Sequence, residues 1–420
     1  MVGLVKKFST YITESAAEKD RHLTHIEDAV LEGGVAGTRN AIQFLISLRD
    51  MFADDGKTLN EARRSGGLIL RTKFDGAPAL YAGINPDNGK FFVGSKSIFN
   101  KGAKLNYTQS DIRSNHSGGL AEKLSLALKY LPELGIKGII HGDFMFSHDE
   151  LKSETIDGKK YITFRPNTIT YAVPEGTTLA KQVMAAKMGI VFHTTYIGNS
   201  MANLQTHFDV DIGRLHSSRN VWYRTNRFMD VTGKATLTKA ENDRLSGILS
   251  QAGNLFRQIP AALLNEIASN DTYRIPIMTY YNQKVRAGEH MGAGHVNEII
   301  KFVSDKYDKQ IADAKMPATK QKRTMEKNKV VGWYKKNAAG LKNIFQLQNL
   351  FIDAKTMLIR KFDEVNDIGT FLHTPDGGYK VTTPEGYVGC LSVDGQAWKL
   401  VDRMNFSRSN FLAQKSWKPK

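Results

Sequence analysis

One decapeptide holds the residues best suited to chemistry: Arg71-Thr72-Lys73-Phe74-Asp75-Gly76-Ala77-Pro78-Ala79-Leu80. The apolar run Leu68 to Leu70 leads into it, and Ala79-Leu80-Tyr81 leads out. That context places Lys73 at a strand end, before an Asp-Gly turn that lets the chain double back. A lysine held on rigid backbone between apolar strands can be partly desolvated, and desolvation of an amine favours its neutral, nucleophilic form. An ordinary hairpin with a solvated lysine has the same local pattern, so the downstream residues must decide between the two.

The surrounding elements read as follows. Leu68 to Lys96 has the pattern of a β-meander, with an Asn85-Pro86-Asp87-Asn88-Gly89 turn and a strand from Phe91 to Val93. Gly138 to Phe146 reads as a strand carrying His141-Gly142-Asp143-Phe144, and Met188 to Tyr196 as another carrying Ile190-Val191-Phe192-His193. Shorter strands are expected at Tyr161 to Phe164 and Ile169 to Val173. After about Asn199 helical spacing takes over. Thr238-Lys239-Ala240-Glu241 is a capping box ahead of Leu245, Ile248, Leu249 and Ala252. Val296, Ile299, Ile300 and Val303 mark a second helix, and Leu341, Ile344, Phe345 and Phe351 a third. From Gly378 the β pattern returns, through Pro384-Glu385-Gly386-Tyr387-Val388 and Ala397-Trp398-Lys399-Leu400-Val401. The fold class expected is α+β.

Composition sets the outer bounds. A chain of 420 residues can bury a substantial core and should form two or three structural units. Hydrophobic content of 41% with 24% charged residues excludes a disordered chain. Apolar runs such as Ala41 to Leu48 are far too short to cross a bilayer. Cys390 is the single cysteine, which excludes an intrachain disulfide and a cysteine-based zinc site and suits a reducing interior. A net charge of +16 points to a polyanionic partner, most simply nucleic acid. The densest basic run is Lys315, Lys320, Lys322, Arg323, Lys327, Lys329, Lys335 and Lys336, against a lone Glu326. Trp333 and Tyr334 within it have two uses open to them, stacking on bases or anchoring the segment to a core. His22, His25, Glu27 and Asp28 cluster in sequence, but two imidazoles three apart on a helix lack a defined third ligand, and the segment reads as a helix start.

Taken together, Lys73-Phe74-Asp75-Gly76, Gly142-Asp143-Phe144, Ile190-Val191-Phe192-His193, Glu385-Gly386-Tyr387-Val388 and Trp398-Lys399-Leu400 occur in the order of a known motif series. The chain resembles the covalent nucleotidyltransferase superfamily of ATP-dependent DNA ligases, RNA ligases and mRNA-capping guanylyltransferases. The resemblance covers roughly Leu68 to Tyr196 and Gly378 to Arg408. It implies an adenylation domain of antiparallel sheets, with the helical block as an inserted module. It also implies ATP and Mg²⁺ as cofactors, and polynucleotide ends, RNA or DNA, as the partner. Lys73 would be the nucleophile, with Glu385 and Lys399 completing the catalytic set. Asp75, Gly76, Lys96, Asp143 and Phe192 would bind the nucleotide, Asp143 and Glu385 the metal. In that reading Phe192 stacks on the purine. Two departures stand out: Ala77-Pro78 follows Gly76 where the family usually has arginine two residues on, and Val401 replaces the second lysine of the last motif.

The expected organisation is a helical lead-in over 1–60, a nucleotidyltransferase core over 61–199 and 373–420, and a basic helical insertion over 200–372. Lys320, Lys322, Arg323, Lys327, Lys329, Lys335 and Lys336 would bind nucleic acid. Phe8 to Glu14, with Ile12-Thr13-Glu14, resembles the leader of proteins packaged into tailed-phage procapsids. That resemblance implies a protein of the host cytoplasm during infection, or of the virion interior. A second expectation follows from the departures: a non-enzymatic phage protein that binds nucleic acid, or lies inside the capsid, on a degenerate ligase fold.

Overall fold

Between Leu68 and Thr225 the described residues supply ten strands, and the alternation of their apolar residues sets which face each strand buries. The structure, a computed structural model, describes residues 23–53, 68–207, 210–228, 236–364, 368–373, 377–381, 386–391 and 397–404. It divides into two units that interleave along the sequence. One contains Leu70–Val231 and Asn366–Val388, the other Leu23–Ile69, Thr232–Val365 and Gly389–Lys420. The architecture is α+β, helices with mostly antiparallel sheets.

The first unit contains β1 (Leu68–Lys73, from Leu70), β2 (Ala79–Ile84), β3 (Phe91–Gly94), β4 (Ile139–Ser147), β5 (Lys152–Ile156), β6 (Lys159–Phe164) and β7 (Thr170–Pro174). It continues with β8 (Met188–Ile197), β9 (Gln205–His207), β10 (Val221–Thr225), β11 (Gly369–His373), β12 (Tyr379–Val381) and the start of β13 (Gly386–Leu391). A six-stranded sheet runs β10-β8-β4-β2-β3, with β9 also on β8; only the β10–β8 pairing is parallel. A five-stranded sheet runs β12-β11-β7-β6-β5. β1 neighbours β13, and its other edge meets the Asn226–Phe228 segment, where Thr72 N–H donates to the Asn226 carbonyl at 2.7 Å.

Each face of the six-stranded sheet has its own lining. Leu80, Ala82, Ile140, Phe144, Ile190 and Phe192 point to one side, where the Gly118–Tyr130 helix contributes Leu124 and Ala127 to a closed core. Tyr81, Phe92 and Ile139 point to the other, with Ile98 and Leu204 beside them. His141 and Asp143 alternate with Ile140, Gly142 and Phe144 along β4 and therefore share the Tyr81 side.

The second unit is helical: Gly34–Met51, Lys239–Gln258, Ala261–Ser269, Asp271–Ala287, Val296–Asp313, Pro317–Lys336 and Ala338–Glu364 are its long helices. The last is the spine, burying Leu341, Ile344, Phe345, Phe351, Leu358 and Phe362 at helical spacing. The Thr238–Glu241 capping box forms as the sequence indicates. The segment 23–53 and the strand β14 (Ala397–Leu400), a neighbour of β13, belong to this helical unit, so its sequence is drawn from three of the expected divisions.

Candidate functional site

The Lys73 loop is anchored by the residues that follow it. Asp75 is 5% exposed, and its carboxylate accepts from Asn167 Nδ2 at 2.8 Å, Thr168 N at 2.7 Å and Ile169 N at 3.0 Å. Its backbone N–H donates to the Tyr171 hydroxyl at 2.6 Å. Asp75 is thus committed to the lead-in of β7, which leaves it a bracing residue and not the nucleotide contact expected. The next residue packs against β4: a Cβ on Gly76 would lie 2.5 Å from Asp143 Cβ and 3.2 Å from the Phe144 carbonyl. Glycine is therefore required by close approach. Ala77 N–H then donates to the Phe144 carbonyl at 3.0 Å, and Phe144 N–H to the Pro78 carbonyl at 3.0 Å. Ala77-Pro78, the departure from the motif series, is what knits the turn to β4. Lys73 is half-buried at the head of this loop.

On β4 and β8 the site face carries imidazoles. His141 stacks on Tyr81, with ring centroids 4.0 Å apart and planes 7° from parallel, and meets His193 edge-on at 4.2 Å. The β4–β8 register pairs His141 with Thr194 and Gly142 with Phe192, so His193 is the extra residue of a β-bulge. The bulge turns the His193 ring toward Asp143, Nε2 to Oδ1 3.7 Å, while its Nδ1 meets Thr194 Oγ1 at 2.8 Å. His141, Asp143 and His193 can each offer one ligand atom, all within 4.8 Å of one another. His141 Nε2 is buried and has no hydrogen-bond partner. Burial, followed by the nearby charges of His193 and Lys96, holds the His141 imidazole well below its ordinary pKa, so the ring is neutral. Lys96 is exposed at the start of a short 3-10 turn, Lys96–Phe99.

Phe192 is corrected by the same register. It is fully buried among Phe144, Ile190 and Leu80 on the opposite side of the sheet and cannot receive a purine. Aromatic rings on the site face include Tyr81 and Tyr196, 5.7 Å apart, with Phe99 5.2 Å from Tyr81. Glu385 lies outside the described residues. Lys399 is on β14 in the second unit, where its N–H donates to the Thr24 carbonyl at 2.9 Å beside the His25–Lys399 bridge.

The second unit places the remaining expected residues on the Pro317–Lys336 helix. Lys320, Lys322, Lys329, Lys335 and Lys336 are exposed. Arg323 and Lys327 are not available in the same way. Arg323 donates to the Gln310 carbonyl, and Lys327 is paired with Asp308 at 2.6 Å. Lys322, Lys329 and Lys336 recur every seventh residue and so form one line along the helix. Trp333 stacks on Tyr273 with centroids 4.0 Å apart, and Tyr334 is fully buried, so of the two uses open to these rings the anchor is the one realised.

The unit also contains a charge cluster that sequence spacing did not reveal. Glu27 is fully buried, and both of its oxygens lie 2.8 Å from Lys355 Nζ. Arg403 Nε lies 3.2 Å from Glu27, and its guanidinium also bonds Asp28. Burial alone would raise the Glu27 carboxyl, but Lys355 and Arg403 more than offset it and hold the group well below the usual range. A cavity of about 430 Å³ opens beside these residues, lined also by Arg244, His290 and Arg360.

These features define an α+β protein whose lysine loop is braced against a histidine-bearing sheet. The chain belongs to the family of unknown function DUF6267, which matches residues 20–415. No curated protein and no solved structure matches it.

Proposed function

We propose that this protein is an ATP-dependent nucleotidyltransferase of the polynucleotide-ligase type, with Lys73 as its nucleophile. The Lys73 Nζ–phosphorus bond forms at the α-phosphate of ATP, the α–β anhydride bond breaks, and pyrophosphate leaves. The adenylyl group passes to the phosphorylated end of a nucleic acid, and attack by the neighbouring hydroxyl end expels AMP and seals the strand. The supporting observation is the bracing of the loop: Asp75 is held by three donors and Gly76 is packed on Asp143, so Lys73 starts from fixed backbone. Fixed placement of a nucleophile is a large part of what catalysis requires. Lys96 would meet the phosphates. A divalent ion arriving with ATP would offset charge on the phosphate oxygens. Lys322, Lys329 and Lys336 would track the strand backbone.

The reading is tested with α-labelled ATP and Mg²⁺ followed by denaturing electrophoresis. It expects a labelled band in the wild type and none in Lys73→Ala. A band that survives in the variant would remove Lys73 from the mechanism. A second reading has its own support, since both Asp75 oxygens and the Ala77 N–H are spent on the protein. In it the fold binds nucleic acid without turnover. Salt-sensitive binding together with no adduct would select that reading.

A further inference from the structure

We propose that His141, Asp143 and His193 bind a divalent transition-metal ion of the zinc, cobalt or manganese type. The site shares Asp143 with the neighbourhood of Lys73 but does not depend on nucleotidyl chemistry, and so goes beyond the proposed function.

Three observations lead to it. The first is spacing. Ligands at about 2.1 Å in tetrahedral array stand about 3.4 Å apart. The His193 Nε2 to Asp143 Oδ1 separation is 3.7 Å, too long for a hydrogen bond and close to that of two ligands on one ion. The full set lies within 4.8 Å, which small rotations of half-buried side chains would close. The second is the orphaned His141 Nε2, buried without a partner although a buried ring nitrogen ordinarily finds one. An ion in the gap satisfies it. The third is orientation. His193 is the bulged residue of β8, and Thr194 Oγ1 at 2.8 Å from Nδ1 leaves Nε2 facing Asp143. Metal-bound histidines are commonly aligned by a contact of this kind at the other ring nitrogen.

The donor set decides the class of ion. Two imidazoles and one carboxylate suit zinc, cobalt and manganese, whereas Mg²⁺ and Ca²⁺ prefer oxygen ligands throughout. The Mg²⁺ expected from the sequence would have had Asp143 and Glu385 as ligands. Three protein ligands also leave a coordination position open. An anionic oxygen such as that of a phosphate is a natural occupant of that position.

The test is titration of tag-free, chelator-treated protein with Co²⁺, read by visible absorption and by calorimetry. The expected result is one Co²⁺ per chain with the absorption of a protein-bound ion, displaced by Zn²⁺. His193→Ala and Asp143→Asn, both at half-buried side chains, should each weaken Co²⁺ binding by more than about tenfold, the lower bound for disturbing even an outer partner of a metal. Their urea midpoints without metal should match the wild type. Lys73→Ala should bind Co²⁺ as the wild type does, so loss of the adduct and loss of the metal are separable results. Absence of stoichiometric Co²⁺, or binding undiminished in both ligand variants, would overturn the proposal.

Discussion

The two units treat charged residues in opposite ways. In the helical unit Glu27 meets Lys355 at 2.8 Å and Arg403 at 3.2 Å, and Asp28 meets Arg403, so each of these four charged side chains lies against one of opposite sign, although Asp28 Oδ1 and Arg403 Nη1 have no hydrogen-bond partner. In the sheet unit His141, Asp143 and His193 stand close without a direct bond among them, and one buried nitrogen has no partner. A buried cluster whose opposite charges already face one another holds a fold together. A cluster left incomplete on an otherwise rigid sheet is suited to bind something else. Substitution should therefore cost stability in the first case and binding in the second.

The largest effect on folding is expected from Lys355→Met. It leaves Glu27 buried beside Arg403 alone and should cost about 3–5 kcal/mol in urea unfolding. A stability within error of the wild type would break the contrast at its stronger end. Asp75→Ala comes next. It frees Asn167 Nδ2 and the N–H groups of Thr168 and Ile169, with a loss of about 1–3 kcal/mol. It should also lower covalent adenylylation, because the loop is no longer held, and a variant with full adduct yield would separate bracing from chemistry.

Smaller effects are expected on the basic helix. Lys322→Ala and Lys329→Ala should each reduce the salt dependence of nucleic-acid binding, lowering the log–log slope by about 0.7–0.9 with no change in melting temperature. Arg323→Ala should do the reverse, destabilising the fold with little change in slope, because that side chain is committed to Gln310. Equal slopes for the Lys322 and Arg323 variants would blur the distinction between exposed and engaged cations.

Much of this was legible in the sequence for local reasons. The strands on either side of Lys73, the capping box at Thr238 and the apolar stripe of 338–364 follow from short-range patterns. The hairpin and meander expected at Lys73 do not form, because β1 lies beside β13 whereas β2 pairs with β3 and β4 in another sheet, a choice of partner that no local pattern records. That His141 and Asp143 share a face follows from their spacing of two. His193 did not follow, because a bulge depends on the partner strand, and one extra residue moves Phe192 into the core and His193 into the site. The pairing of Glu27 with Lys355 and Arg403 spans more than three hundred residues and leaves no local trace. The interleaving of the units is equally non-local: 23–53 and β14 read as a lead-in and a last motif strand, yet both belong to the helical unit.

The central claim is that Lys73 carries a nucleotide covalently. It is tested most directly by intact-mass measurement after incubation with ATP and Mg²⁺, with the modified residue then located by peptide mapping. The account predicts one adenylyl group per chain, on the peptide containing Lys73 and acid-labile as a phosphoramidate should be. An unmodified chain, or a modification on any other residue, would contradict it.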